Sequence, residues 1–232
     1  MGCLLKANGL YSRTTVGAVL LAAGAGARLG GRPKALLELG GVPLILRQLI
    51  ALSGAGVDEV VVVLGHHAEA IEAAVRAFPI TLARNPSPDD GEAASLRVGL
   101  RALSPRLDAV IVAPADQPLI DAQDIVALIG AFKQRGDAAI VVPRVPGPDG
   151  RGEARPPLIF EAAWRDEWLA GAADAPDGAW WQARPERVRW LEADPRRHGF
   201  DIDTPKDLQR FTAATGHVLS WPAAVAQPQA AG

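Results

Sequence analysis

Two cations and a run of small residues share one short stretch of this chain: Leu21-Ala22-Ala23-Gly24-Ala25-Gly26-Ala27-Arg28-Leu29-Gly30-Gly31-Arg32-Pro33-Lys34. Small side chains at Ala22, Ala23, Gly24 and Gly26 let backbone N–H groups approach a phosphate or a base closely. Arg28 can hold phosphate oxygens bidentately and Lys34 adds a point charge, a combination suited to a triphosphate. Neither of two familiar glycine loops fits. A dinucleotide fingerprint counted from Gly24 needs glycine at its sixth position, where Leu29 stands, and a P-loop needs a terminal Gly-Lys-Ser/Thr. A solvated glycine turn is the bland alternative. The position directly after a buried strand, at the carboxyl edge of a sheet where open α/β folds bind ligands, favours phosphate binding.

Carboxylates suited to Mg²⁺ stand further along. Asp116, in Pro114-Ala115-Asp116-Gln117-Pro118, follows the apolar run Ala109–Ala113 and reaches the same sheet edge. Asp201 and Asp203, in Asp201-Ile202-Asp203-Thr204-Pro205, share one face if that segment is extended. Mg²⁺ takes one or two carboxylates together with phosphate oxygens and water, so Asp116 with Asp203 or Asp201 is a sufficient set. Capping of a strand end or a helix is the structural alternative for each. Asp89 and Asp90, before Gly91, read as a turn. Asn85-Pro86 and Gly91-Glu92-Ala93-Ala94-Ser95-Leu96-Arg97-Val98-Gly99-Leu100 place a helix amino terminus, with its unpaired N–H groups, near an anion. Ser95 adds a hydroxyl there, and the competing reading is a capped helix with Gly99 packed on the sheet. Gly65 offers bare backbone against a base. His66 and His67 read as surface or capping residues, and four histidines without ligand spacing speak against zinc.

The elements that must position these groups alternate. Val16–Leu21, Glu59–Leu64, Ile80–Arg84, Asp108–Ala113 and Ala138–Val142 read as buried strands, with helices over Pro43–Ala55, Ala68–Phe78, Glu92–Leu103 and Asp121–Arg135. Strand–helix–strand repetition implies parallel strands and right-handed crossovers, an α/β fold with a doubly wound, mostly parallel sheet in a three-layer sandwich. After Pro143 the texture changes: a loop over Val145–Arg155, a strand over Pro157–Phe160, a helix over Glu161–Leu169, a loop over Ala170–Asp177 and a strand over Val188–Glu192. Thr204 caps a last helix, Pro205–Ala214. Residues 1–15 read as an extension, 16–215 as one domain, and 216–232 as a disordered tail.

Bulk properties narrow the partners. A chain of 232 residues with 49% hydrophobic content can bury a substantial core, and a net charge of −2 gives no basic excess for nucleic acid or an anionic membrane. No apolar stretch approaches the roughly 18 residues of a spanning helix. No secretion signal is read in Met1–Thr15, and Cys3, the single cysteine, excludes an internal disulfide. A cytoplasmic protein acting on small molecules is expected.

The four motifs, in the family's order over roughly Val16 to Phe211, resemble the MobA-like NTP-transferase superfamily, closest to its molybdenum cofactor cytidylyltransferase branch. By that resemblance Leu21, Ala22, Ala23, Gly24 and Gly26 hold a nucleotide, with Gly65, Asn85 and Ser95 nearby. Arg28 meets the β and γ phosphates, Lys34 the α phosphate, and Asp116 with Asp203 the Mg²⁺, Asp201 being the alternative. Leu-Ala-Ala-Gly at 21–24 is the form of pyrimidine-transferring members, and a methyl at Ala23 is expected to crowd a purine. The implied reaction is Mg²⁺-dependent cytidylyl transfer from CTP to a molybdopterin-type acceptor with release of pyrophosphate. A client molybdoenzyme or its chaperone is the implied macromolecular partner. Transfer from GTP or UTP, or to a sugar or polyol phosphate, shares the mechanism; a nucleotide-binding cofactor chaperone and a nicotinamide-dependent dehydrogenase are rivals of other classes. The sequence departs from the branch at Arg155-Pro156-Pro157 and at Asp177-Gly178-Ala179-Trp180, where Arg155 or Arg184 would have to replace a missing acceptor-side arginine. Trp164, Trp168, Trp180, Trp181 and Trp190 cluster in this half, with core packing the default and stacking on a flat pterin the alternative.

Overall fold

The molecule is built around strands, runs of Val, Ile, Leu and Ala in its middle and mixed, more exposed sequences at its two edges, where the segment expected as a buried strand over 80–84 is largely open to solvent. In the computed structural model, which describes residues 13–147, 152–169, 184–223 and 225, these are β1 (Val16–Ala22), β4 (Glu59–Leu64), β5 (Thr81–Arg84), β6 (Ala109–Pro114), β7 (Ile140–Pro146), β9 (Leu158–Glu161) and β10 (Val188–Glu192). They lie in the order β10-β7-β9-β6-β1-β4-β5, with β8 (Gly152–Ala154) paired on β7. All neighbours in the main path run parallel except β9, which is antiparallel to both β6 and β7. The helices are α1 (Leu44–Gly54), α2 (Ala68–Val75), α3 (Glu92–Ala102), α4 (Ala122–Lys133), α5 (Arg165–Leu169), α6 (Pro195–His198) and α7 (Pro205–Thr215).

The two-residue period of the strands assigns their side chains to two cores. Ala18, Leu20, Val62, Leu64, Ile111 and Ala113 face one side, where Ile45, Leu49 and Leu52 of α1, Ile71 and Val75 of α2, and Ile125, Leu128 and Phe132 of α4 cover them. Val19, Val61, Val63, Val110 and Val112 face the other, under Leu96 and Leu100 of α3 and Trp168 of α5. Gly99 is what lets α3 lie so close: a Cβ there would stand 2.4 Å from Val19 Cγ1 and 2.8 Å from Val63 Cγ2. The mixed α/β, mostly parallel three-layer architecture is thus the expected one.

A third, smaller core lies beneath the glycine-rich loop, built from Leu29, Leu37, Leu39, Leu44, Phe200, Ile202, Phe211 and Leu219. It carries a three-stranded antiparallel sheet in the order β11-β2-β3, formed by Leu219–Ser220 (β11), Glu38–Leu39 (β2) and Val42–Pro43 (β3). Sequence reading missed this sheet, and it corrects the tail expected from residue 216, since residues 219–220 are paired strand. The loop expected over 145–155 is likewise corrected: β7 runs to Pro146 and β8 returns antiparallel to it. The helix expected over 161–169 begins as a single 3-10 turn, Ala162–Trp164, before α5. Residues 1–12, 148–151, 170–183 and most of 222–232 lie outside the described residues, and with them Cys3, Trp180, Trp181 and the Asp177–Trp180 segment.

Candidate active site

β1 delivers the glycine-rich loop to the carboxyl edge of the sheet. Gly26 starts a single 3-10 turn, Ala27–Leu29, and its carbonyl accepts the N–H groups of Leu29 at 2.8 Å and Gly31 at 3.0 Å. Its φ is +63°, and a Cβ there would stand 1.9 Å from the Arg32 carbonyl oxygen, so glycine is required. Among the described residues the N–H groups of Gly24, Ala25 and Gly26 donate to no protein acceptor. Arg32 closes the far end of the loop: its Nε donates to the Leu29 carbonyl at 3.0 Å and its guanidinium lies 4.3 Å from the Trp221 ring centroid.

Three distant segments meet at Lys34. Its ammonium contacts Asp116 Oδ2 and stands 2.8 Å from Asp203 Oδ1, while Arg28 Nη2 stands 3.1 Å from Asp203 Oδ2. Asp116 comes from the end of β6 and Asp203 from the coil between α6 and α7, whose far side is fixed by the Thr204–Asp207 capping box. A narrow cleft lined by Leu21, Ala22, Gly24, Lys34 and Asp116 opens beside them. Burial by itself would lower the Lys34 pKa, but Asp116 and Asp203 outweigh it and hold the ammonium well above its ordinary value. Burial pushes Asp116 above the ordinary carboxylate range; Lys34 pulls it back, and Asp201 and Asp203 add to the rise. A desolvated acid of this kind is stabilised by a cation.

The remaining sequence candidates fall into two sets. Asp201 lies close by but has both oxygens engaged, Oδ1 by Gln117 Nε2 at 2.9 Å and Oδ2 by Arg155 Nη1 at 3.0 Å. Asn85 and Ser95 bind each other: Asn85 Nδ2 donates to Ser95 Oγ at 3.0 Å, and Asn85 Oδ1 accepts the Ser87 N–H, so the pair latches the start of α3 onto the end of β5. Gly65 packs against the loop rather than standing open, for a Cβ there would lie 2.7 Å from the Ala23 carbonyl oxygen and 2.7 Å from Pro88 Cβ. The Ala23 methyl points into this same contact, 2.9 Å from that position, and the residue is buried with the α3-side core. His67, at φ +60°, binds the Ala25 carbonyl at 3.1 Å, and His66 binds Asp89 at 2.9 Å, so both tie loops together.

Three residues at the site escaped sequence reading. Gln117 and Gln48 have no apolar or charge pattern that singles them out, yet both are fully buried there. Glu92, first residue of α3, has an exposed surface, but crowding by surrounding protein raises its pKa, and Asp116, Asp201 and Asp203 add to the rise while Lys34 opposes it. Its position after Gly91 at a helix start was the available signal. Neither arginine suggested for the acceptor is free: Arg155 is held by Asp201 and Glu153, and Arg184 lies 2.8 Å from Glu167. Trp168 is a core residue stacked on Phe160 at 4.9 Å, whereas Trp190 is partly exposed.

The donor set can be tested against Mg²⁺. Asp116 and Asp203 aim hard oxygens at one point, and among the described residues no three His, Cys, Asp or Glu side chains form a ready-made cage. Two carboxylates with room for phosphate and water are what Mg²⁺ uses, so the residues fit.

The model of the MobA-like NTP transferase domain matches residues 18–188. The chain is 32% identical to 2-C-methyl-D-erythritol 4-phosphate cytidylyltransferase of Streptomyces coelicolor, over 86% of this chain and 67% of that protein. It is 29% identical to nicotine blue oxidoreductase of Paenarthrobacter nicotinovorans, over 83% and 94% of the two chains. It is 34% identical to the bifunctional protein GlmU of Sorangium cellulosum over 60% of its own length, spanning only 31% of that relative. Among solved structures, Rv0371c of Mycobacterium tuberculosis superimposes with a TM-score of 0.70 at 28% identity, covering 86% of this chain and 98% of that one. The same protein has also been solved in complex with manganese, with a TM-score of 0.65 at 26% identity, covering 85% and 98%.

Proposed function

Because the chain belongs to the MobA-like NTP transferase family, we propose that it is a Mg²⁺-dependent nucleotidyltransferase that moves a cytidylyl group from CTP onto a phosphate monoester of the molybdopterin type. The observation that carries the reading is the convergence of Lys34, Arg28, Asp116 and Asp203, from three distant parts of the chain, beside a loop with unpaired N–H groups.

The chemistry asks little covalent work of the protein. An acceptor phosphate oxygen attacks the α phosphorus in line, a new P–O bond forms, the bond from that phosphorus to the bridging oxygen breaks, and pyrophosphate leaves with the electron pair. A phosphate monoester is already an anion near neutral pH, so no general base is required. What the site supplies is alignment and neutralisation of charge. Arg28 and Lys34 take the phosphates, and the N–H groups of Gly24–Gly26 take oxygens as an anion nest does. The Asn85–Ser95 latch holds the α3 amino terminus at the rim. Asp116 and Asp203 would hold Mg²⁺, which when bound supplies two further positive charges against the triphosphate.

Preference for a pyrimidine rests on the Leu21-Ala22-Ala23-Gly24 pattern, and acceptors that are sugar or polyol phosphates are the nearest alternative, as in the cytidylyltransferase relative's name. The test is pyrophosphate release in Mg²⁺ from each of CTP, UTP and GTP, with molybdopterin and with a panel of polyol and sugar phosphates. CTP with molybdopterin is expected to turn over fastest. Faster release with GTP overturns the base assignment, and faster release with a polyol phosphate overturns the acceptor. No release with any pair, together with oxidation of a reduced nicotinamide cofactor, overturns the class of reaction in favour of that named for the Paenarthrobacter relative.

A further inference from the structure

Asp203 sits in a stretch, residues 200–204, that is neither helix nor strand, so no backbone ladder fixes its carboxylate relative to Asp116. Side chains must do it. Gln117, immediately after Asp116, is fully buried, and its Nε2 donates to Asp201 Oδ1 at 2.9 Å and to the Pro156 carbonyl at 3.0 Å. Both partners are acceptors, which forces the amide nitrogen to that side. Gln117 is itself held from behind, because its carbonyl accepts Gln48 Nε2 from α1 at 2.6 Å. Arg155 Nη1 takes the other oxygen of Asp201 at 3.0 Å. The oxygens of Asp201 are thus committed to donors on other segments, whereas those of Asp203 face Lys34 and Arg28.

We propose that Gln117 and Asp201 form a cross-brace that sets the spacing of Asp116 and Asp203, and that Asp201 stays off the metal. Gln117 is one residue from one acid and Asp201 two residues from the other, so the bond between them spans the site where those acids must approach each other. This rests on the reading of Asp116 and Asp203 as the metal-holding pair. Both brace residues are positioning residues, and residues of this kind typically tune metal affinity by about 10- to 100-fold. Glutamate at 117 has the same shape but turns a carboxylate on Asp201 and on the Pro156 carbonyl, so the brace depends on the amide and not on volume.

The test is Mn²⁺ binding to the full chain, read from the spin-resonance signal of free Mn²⁺, with thermal unfolding recorded beside it. Asp201→Ala, which removes both acceptor oxygens at a half-buried residue, is expected to weaken Mn²⁺ about 10- to 100-fold at a nearly unchanged melting temperature. Gln117→Glu is expected to weaken it as much and also to lower the melting temperature, because it buries a carboxylate against Asp201. Asp116→Asn and Asp203→Asn are expected to abolish binding. If Gln117→Glu does not fold, Asp201→Ala carries the test alone. Loss of binding in Asp201→Ala as complete as in Asp203→Asn overturns the proposal, because Asp201 is then a ligand. Unchanged affinity in Asp201→Ala overturns it too, because there is then no brace. Unchanged binding in both Asp116→Asn and Asp203→Asn instead removes the metal-pair reading on which the brace rests.

Discussion

Replacing Lys34 with methionine should separate two properties that active-site substitutions commonly lose together, affinity for a divalent cation and turnover. The ammonium contacts Asp116 and stands 2.8 Å from Asp203 Oδ1, on the oxygens proposed for the metal. Methionine keeps most of the stem's volume and removes the charge. The Asp116 side chain, only 8% exposed, then has no cation against it, whereas Lys34 itself is 26% exposed. Breaking a fully buried pair costs about 3–5 kcal/mol, and partial exposure of the lysine brings this to about 2 kcal/mol. For a chain of this size that is a fall in Tm of roughly 4–8 °C in the presence of a chelator. Mn²⁺ should restore much of it by mass action, with affinity equal to or tighter than in the parent, because the ammonium no longer competes for the same oxygens. Turnover goes the other way: losing one preorganised charge on the phosphates lowers kcat about 10²- to 10³-fold. Thermal unfolding with and without Mn²⁺, and pyrophosphate release, measure the two sides. Near-parental turnover, or Mn²⁺ affinity that falls in step with turnover, refutes the reasoning, since Lys34 would then shape the acids instead of neutralising phosphate.

Three further outcomes follow from packing and charge. Gly99→Ala should destabilise by about 1–3 kcal/mol in urea unfolding even though alanine favours helix by about 1 kcal/mol, because Val19 and Val63 occupy the added methyl's space; a stabilised variant refutes the packing account. Arg197 binds Asp124 through Nε at 2.9 Å and Nη2 at 2.7 Å and reaches Asp121 at 2.7 Å, tying α6 to the start of α4. Arg197→Ala should therefore lower stability by about 2 kcal/mol, with lysine recovering only part, and equal Tm values for parent and both variants would count against it. Asp121 is desolvated, yet the N–H of Gln123 and the Arg197 guanidinium hold its pKa below the ordinary carboxylate value. Its unfolded form binds a proton first, so its contribution is present above that ordinary value and disappears as pH falls through the depressed one. The stability gap between parent and Asp121→Asn should shrink steadily as pH falls below the ordinary carboxylate value, and a gap that does not shrink on acidification refutes the assignment.

Part of the candidate site was legible because two of its segments follow a strand end. Lys34 lies just beyond β1 and Asp116 just beyond β6, and an apolar strand that stops at a charged or glycine-rich turn marks the ligand edge of an α/β sheet without further information. Asp203 was legible only through motif likeness, since the coil it occupies has no periodicity. The direction of β9 was not legible, because a short apolar run reads the same way up or down and only its pairing with β6 and β7 decides. The β7–β8 hairpin hid in a stretch whose proline, glycine and charge content reads as loop. Gln117 hid for a different reason: its meaning lies in a bond to a residue 84 positions away.

The pairing of Lys34 with Asp203 across 169 positions also orders events during synthesis. At ribosomal rates of about 5–20 residues per second, the glycine-rich loop emerges roughly 10–30 s before the acid that completes it. Leu219, which sits beneath the same loop and pairs with Leu39, comes later still. The growing polypeptide therefore carries Lys34 long before it acquires Asp203, and the proposed site is whole only once nearly all of this sequence has been made.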